Sequence, residues 1–161
     1  MAKYSLPYSY CSTAKRCTAP SHFITPNSRF CLDFYLPQGT PIIAARLGIV
    51  TETENKYNKA SDKRSFMPKC NYVYIRHSDG EESVYAHLAF GSVRVRVGQQ
   101  VRRGQILGLS GQTGYATYPH LHFGVYDSDG NCIRPMFDTD LPPKTSYKRY
   151  SLDKKFFIAN V

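Results

Sequence analysis

The sequence of 161 residues has no tryptophan, few acidic residues and no long hydrophobic run. No stretch approaches the roughly 18 apolar residues that a membrane-spanning helix requires, so membrane insertion is not expected. Residues 1–10 lack the basic start and the apolar stretch of a signal peptide, so any export signal is expected to be absent from this chain. Five cysteines, an odd number, do not form the paired framework of a disulfide scaffold.

The scarcity of acidic residues leaves a large positive charge. Lysine and arginine number 21 against 12 aspartate and glutamate, which gives a formal net charge of +9. Such a charge favours an anionic partner, and nucleic acid, a cell-wall polymer and an anionic membrane surface all qualify. The sequence contains no recognition helix and no nucleic-acid-binding motif, so nucleic acid is not the expected partner.

The composition predicts an all-β fold in a single domain over residues 1–161. Thirteen tyrosines, nine phenylalanines, eleven glycines and ten prolines favour strands and turns over long helices. We expect a compact antiparallel β-sheet, arranged as a sandwich or half-barrel, with long loops and little helix. Alternating apolar and polar residues predict strands near 30–36, 41–52, 71–77, 82–88, 92–97, 105–110 and 121–127.

Two charged segments depart from this alternation. Residues 51–70 carry many charges and little apolar content, so we expect a long exposed loop between strands. Residues 141–161 begin Leu-Pro-Pro and form a basic C-terminal tail. Neither segment has the length or the core of a second domain, so no domain boundary is predicted.

Three side chains have the chemistry of a metal site. His120 and His122 are two residues apart in a predicted strand, so both imidazoles point to one face, about 6–7 Å apart along the backbone. Asp33 lies within an otherwise apolar strand, where a carboxylate is costly to bury unless it is paired or binds a cation. Two histidines and one carboxylate would leave the open coordination position that catalytic zinc requires.

Five further blocks of sequence carry a family resemblance. They are residues 36–50, 71–80, 84–88, 97–114 and 119–123. In order and content they resemble the lysostaphin-type, or LytM-domain, zinc endopeptidases, over a core of about residues 20–135. The resemblance implies an antiparallel β fold with a narrow substrate groove, one zinc ion, and cleavage of peptide bonds in bacterial peptidoglycan cross-links or stem peptides. It further implies a periplasmic or secreted protein, and we expect a monomer.

The resemblance also implies roles for individual residues. His122 and Asp33 match zinc ligands of the family, and His120 and His87 match its two catalytic histidines. His120 would be the general base and His87 would stabilise the oxyanion or position the water, although the sequence does not assign these two roles firmly. His77 precedes a turn at the end of a strand, and we expect it to be structural.

The remaining zinc ligand departs from the commonest family pattern. That pattern has histidine four residues before the aspartate, where this sequence has Arg29. Some members instead resemble a Ser-His variant, which Ser21-His22 matches, so His22 is the expected third ligand. Cys31 is the rival, since thiolate binds zinc well, but two ligands only two residues apart on one strand would strain a tetrahedral site. A degenerate site without metal is the third possibility.

Two residues are candidates for contact with substrate. Arg29 has the same parity as Asp33, so a regular strand would direct its guanidinium toward the site, where it could hold a substrate carboxylate. Tyr85 lies two residues before His87, and its hydroxyl could reach the same face.

A second function class competes with the enzyme. A LytM-type domain that has lost its zinc could bind the cell wall or activate another cell-wall hydrolase. The presence of the aspartate and of three site histidines favours the enzyme. The cysteine pairing stays open, because Cys11 and Cys17 are close enough for a small loop while Cys31, Cys70 and Cys132 leave an odd thiol.

Overall fold

The structure is a computed structural model that describes residues 3–18 and 26–141. Within these residues the chain forms fourteen strands and two short 3₁₀ segments, Pro26–Ser28 and Arg64–Phe66, with no α-helix. The strands are β1 Lys3–Tyr4, β2 Lys15–Cys17, β3 Leu32–Tyr35, β4 Pro41–Ile43, β5 Gly48–Glu54, β6 Ala60–Ser61, β7 Tyr72–Arg76, β8 Glu82–Ala86, β9 Gln100–Val101, β10 Ile106–Leu109, β11 Gly114–Tyr115, β12 His120–Tyr126, β13 Cys132–Ile133 and β14 Met136–Phe137. The all-β prediction is confirmed.

One antiparallel sheet organises the molecule. Its strand order is β2-β3-β12-β8-β7-β5-β9, and β13 also pairs with β12. Three small two-stranded sheets, β1-β14, β4-β10 and β6-β11, surround it. Strand β12 pairs with β3 along its first four residues and with β8 from His122 onward, so His122 and Phe123 are held from both edges. None of the helices in the described ranges is long and apolar enough to cross a membrane.

Residue alternation explains which face of this sheet forms the core. In β12, Leu121 and Phe123 are fully buried and lie opposite Phe34 and Tyr85 of the neighbouring strands. The alternate residues of β12, beginning with the two histidines, point to the other face. Each large side chain buried in this way contributes about 1.5–3 kcal/mol to folding. The core therefore fixes the direction in which the histidines point.

Two of the predicted strands are wrong in detail. The stretch 41–52 forms two strands, because residues 44–47 turn and the Ala44 N–H donates to the Gln105 carbonyl. The stretch 92–97 forms no strand, although its Arg94 N–H donates to the Leu107 carbonyl. Alternation alone predicted a strand over 92–97, but none of the described strands pairs with this stretch along its length.

The segment 51–70 is more ordered than the predicted loop. Strand β5 continues to Glu54, which pairs with Tyr72 of β7, and Ala60–Ser61 then pairs with β11. The glutamates and threonines of β5 lie in a half-exposed strand, so low apolar content did not indicate a loop. The tail 142–161 and His22 lie outside the described residues.

Candidate active site

Asp33 and His122 lie directly opposite each other on paired strands. The register of β3 and β12 places them side by side, and the His122 Nδ1–H donates to Asp33 Oδ1 over 3.0 Å. Asp33 is only 2% exposed, whereas His122 is partly open to solvent. A buried carboxylate that contacts a partly exposed imidazole supplies two donor types that zinc prefers in catalytic sites.

His120 lies next to this pair on the same face of β12. Its Nε2 is 3.9 Å from Asp33 Oδ1, and its Nδ1 is 2.9 Å from the carbonyl oxygen of Tyr118. Because a carbonyl only accepts, Nδ1 carries the proton and the Nε2 of the neutral ring keeps its lone pair. Burial lowers the pKa of His120 to about 3, against the opposing effect of Asp33, so the ring is neutral near pH 7.

His87 reaches the site through an unusual backbone conformation. It directly follows β8 with a φ of 65°, and no other described residue except glycine has a positive φ. The left-handed conformation costs about 1–2 kcal/mol for a residue with a Cβ. It brings the His87 ring onto the His120 ring, with a centroid separation of 4.4 Å, and to 5.9 Å from the His122 ring. The three imidazoles therefore form one cluster.

Two neighbours hold His87 in this position. The His87 Nδ1–H donates to the Thr113 carbonyl over 2.7 Å, and the His87 backbone N–H donates to Cys70 Sγ over 3.1 Å. Cys70 Sγ also lies 3.4 Å from His87 Nδ1. Burial lowers the pKa of His87, but Cys70 and the Thr113 carbonyl raise it, and the net effect is a pKa of about 9. The pKa values of these two neighbouring histidines are thus shifted in opposite directions.

Aromatic rings extend the site beyond the histidines. The Tyr118 ring packs against His120 at 4.6 Å, and the Tyr35 ring packs against Tyr118 at 4.5 Å. Sequence reasoning missed both tyrosines, together with Cys70 and Thr113. Tyr118 and Tyr35 had a usable signal, since each lies two residues from a candidate site residue in an extended segment. Cys70 and Thr113 had no local signal, because they reach His87 from other parts of the chain.

The donor atoms fit a zinc ion as far as the described residues extend. A tetrahedral zinc with bonds of about 2.0–2.1 Å separates neighbouring ligand atoms by roughly 3.3 Å, close to the 3.0 Å between His122 Nδ1 and Asp33 Oδ1. Residues 3–18 and 26–141 contain no group of three or more His, Cys, Asp or Glu side chains that could hold a metal by themselves. The predicted third ligand, His22, belongs to the segment between these ranges.

Cys31, the rival ligand, directs its sulfur along the sheet. It is fully buried, and its Sγ lies 3.7 Å from Cys132 Sγ and 3.7 Å from the Tyr126 hydroxyl. Contact with Cys132 and burial both raise the pKa of the Cys31 thiol, which opposes formation of the thiolate that zinc binds.

Arg29, the first predicted substrate contact, lies in the turn that precedes β3. Arg29 is exposed and lines a depression together with Arg16, Leu32 and Arg134, on the side of β3 that carries Leu32 and not Asp33. Arg29 lies in the turn between the 3₁₀ segment and β3, so the strand parity used in the prediction does not apply to it.

Tyr85 belongs to the core and not to the groove surface. It is fully buried, its hydroxyl accepts a hydrogen bond from the Ala45 N–H over 2.9 Å, and its ring packs on Phe123. Tyr85 and His87 do not share a face, because the positive φ of His87 ends the regular alternation of β8.

Comparison with known proteins decides the family. The model of peptidase family M23 matches residues 28–135, which is more than half of the chain. The chain belongs to peptidase family M23. This range includes Asp33, His87, His120 and His122, so all four residues lie in the part that is similar to the family.

Curated relatives are longer proteins. An uncharacterized metalloprotease of Haemophilus influenzae is 34% identical over 130 residues, which are 81% of this chain and 24% of the relative. The peptidoglycan DD-endopeptidase ShyA of Vibrio cholerae is 40% identical over 91 residues, 56% of this chain and 18% of the relative. The M23 chain thus spans a quarter or less of the length of these two relatives.

Solved structures agree with this assignment. A zinc-containing peptidase from Vibrio cholerae aligns with a TM-score of 0.51 and 32% identity, over 69% of this chain and 30% of that chain. Lysostaphin from Staphylococcus simulans aligns with a TM-score of 0.50 and 32% identity, over 65% and 39% of the two chains. The predicted resemblance to lysostaphin-type peptidases is confirmed.

Proposed function

We propose that this M23 domain is a zinc-dependent endopeptidase that hydrolyses peptide bonds in bacterial peptidoglycan. The observation that carries the proposal is the cluster itself, a buried Asp33 bonded to His122 with two further histidines stacked beside them. The left-handed conformation of His87, which costs stability and places its ring against His120, supports a functional role for the cluster.

Asp33 and His122 would hold the zinc ion, with His22 as the third ligand. A zinc ion in such a site lowers the pKa of bound water and polarises the carbonyl of the scissile peptide. Asp33 must be ionised and His122 must give up its Nδ1 proton to bind the metal, so zinc affinity falls as pH decreases.

His120 and His87 would divide the proton chemistry between them. The neutral His120 has its Nε2 lone pair free of the Tyr118 carbonyl and near Asp33, which suits a general base. His87 donates its Nδ1 proton to Thr113, and its raised pKa favours a second proton on Nε2. A protonated His87 would stabilise negative charge that develops on the substrate oxygen.

Peptidoglycan as substrate is supported by the relatives and by charge. The ShyA relative is a peptidoglycan DD-endopeptidase. The net charge of +9 attracts an anionic polymer, and peptidoglycan with its acidic attachments is one. A substrate in the cell wall places the working protein outside the cytoplasm, in the periplasm or secreted.

Zinc content and hydrolysis of purified sacculi test the proposal together. We expect one zinc per chain, release of peptides detected by mass spectrometry, and loss of both with a chelator. His122→Ala and His22→Ala should lose zinc, whereas Cys31→Ser should keep it. His77→Gln is the matched control, because it removes a buried histidine outside the cluster. A metal-free protein that binds sacculi without releasing peptides would overturn the proposal in favour of an inactive wall-binding domain.

A further inference from the structure

We propose that Cys31 and Cys132 form a disulfide bond that joins the start of β3 to β13. Their Sγ atoms are 3.7 Å apart, so they need to approach by roughly 1.7 Å to reach the bond length of about 2.05 Å. The proposal concerns a covalent modification and does not rest on the peptidase function.

The topology of the sheet brings these two cysteines together. Strand β12 pairs with β8 along one edge, and both β3 and β13 pair with the opposite edge. Leu32 pairs with Phe123, and Ile133 pairs with Val125, so β3 and β13 lie end to end along β12. Cys31 directly precedes Leu32 and so lies at the gap beside Gly124, while Cys132 pairs with Tyr126, two residues further along β12.

Gly124 provides the space for the sulfur atoms. It occupies the position of β12 between the two paired regions, and a Cβ at this residue would lie 2.6 Å from Cys31 Sγ. Cys132 pairs with Tyr126, whose hydroxyl contacts Cys31 Sγ at 3.7 Å. Both cysteines therefore lie over the same face of β12, on the side where any larger residue at 124 would separate them.

The exposure of the two thiols sets the order of the reaction. Cys132 is partly exposed and Cys31 is fully buried. Cys132 would attack a disulfide oxidant, either a small disulfide such as oxidised glutathione or a thiol oxidase, and one oxidant sulfur would leave as a thiol. Cys31 would then displace the second oxidant sulfur. Two protein thiols lose two protons and two electrons, and the disulfide of the oxidant becomes two thiols.

The bond would act on the segment that carries Asp33. It joins positions 101 residues apart, and a cross-link over such a long loop restricts the unfolded chain strongly. It also anchors the chain two residues before Asp33. We expect the oxidised protein to melt on the order of 10 °C above the reduced protein.

Thiol counting and peptide mapping test the bond. The full chain is treated with oxidised glutathione or with reductant, then denatured in guanidinium with a chelator so that metal does not protect thiols. We expect five titratable thiols after reduction and two fewer after oxidation. A peptide map without reductant should contain one linked pair, Cys31 with Cys132, with a mass lower by two hydrogens.

Two variants separate this pair from the others. Cys11→Ser, the matched control, should still lose two thiols on oxidation and keep the shift in melting temperature. Cys132→Ser should lose no thiol pair and should melt at the same temperature with and without reductant. A wild-type protein that keeps five thiols, that links other cysteines, or that melts identically in both states would overturn the proposal, independently of its zinc content or activity.

Discussion

His77 and the three clustered histidines are all at least partly buried, yet they differ in what their ring nitrogens contact. His77 lies between a backbone carbonyl and a hydroxyl, with Nδ1 2.8 Å from the Leu47 oxygen and Nε2 3.0 Å from Ser83 Oγ. In the cluster, His87 and His120 also bond a carbonyl through Nδ1, but His120 Nε2 lies 3.9 Å from Asp33 Oδ1 and the two imidazole rings pack against each other. From this comparison we expect the partner of the second nitrogen to separate a structural histidine from one that acts in the proposed site.

The backbone conformation also distinguishes His77 from His87. His77 directly follows β7, and its backbone N–H donates to the Glu81 carbonyl. Its ring packs against the Tyr4 ring with a centroid separation of 5.4 Å, so His77 contributes to folding. His87 has a positive φ, is held by Cys70 and Thr113, and its ring packs against His120. Substitutions at the two kinds of histidine should therefore have opposite effects on activity and on stability, which the following predictions test from the largest effect to the smallest.

Removal of a zinc ligand should have the largest effect. We expect Asp33→Asn and His122→Ala to lose more activity than the roughly 10–100-fold that follows changes in residues that only support a ligand. The bound zinc, measured by mass spectrometry of the purified protein, should fall in both variants. Retention of full zinc by either variant would contradict the assignment of that ligand.

Removal of a proton-transfer histidine should have the next largest effect. His120→Ala and His87→Ala should lower kcat about 10²–10⁴-fold while each protein keeps its zinc. Steady-state kinetics on a cross-linked muropeptide, together with metal analysis, would measure this difference. Loss of zinc in step with activity would show that these residues bind the metal and do not act on protons.

His77→Gln should lower stability and leave activity nearly unchanged. It leaves the Leu47 carbonyl and Ser83 hydroxyl without their imidazole partner, so we expect a loss of about 1–3 kcal/mol in the free energy of unfolding. Activity below the melting temperature should stay within about twofold of wild type. Urea unfolding followed by circular dichroism gives the stability, and a loss of activity without loss of stability would contradict a structural role.

The smallest expected effect is a pH dependence of stability. Burial lowers the pKa of His77, so the unfolded chain binds a proton at this residue at a higher pH than the folded chain does. The contribution of neutral His77 is complete above its unfolded pKa of about 6.5 and decreases as pH falls below it. The stability difference between wild type and His77→Gln should therefore narrow from pH 7.5 toward lower pH, as unfolding in urea at each pH would show.

Local pattern predicted much of the fold and part of the site. Strands β7, β8 and β12 lie close to their predicted positions, and the buried residues of β7 alternate with less buried ones because side chains on a strand repeat every two residues. The segment 92–97 has the same alternation but forms no strand, since pairing depends on a partner that is distant in sequence. The face of the sheet to which Asp33 and His122 point was also predictable, because it follows from the two-residue repeat.

Other features of the site depend on contacts between distant segments. The conformation of His87 depends on Cys70 and Thr113, which lie 17 and 26 residues away in sequence. Tyr85 was predicted to share a face with His87 because the alternation of β8 was extended past Ala86. The strand ends at Ala86, and the positive φ of His87 breaks the alternation there. The contact of Cys31 with Cys132, 101 residues apart, also has no local signal.

The sequence alone determined the fold class, the positive charge, and the chemistry of the aspartate and histidines, because these depend on composition, on the two-residue period and on motifs. Only the tertiary structure decided which histidine nitrogen contacts which partner, that Tyr85 belongs to the core, and that two cysteines meet over Gly124. The reason is physical: a strand directs its own side chains locally, but pairing between strands distant in the chain decides what those side chains meet.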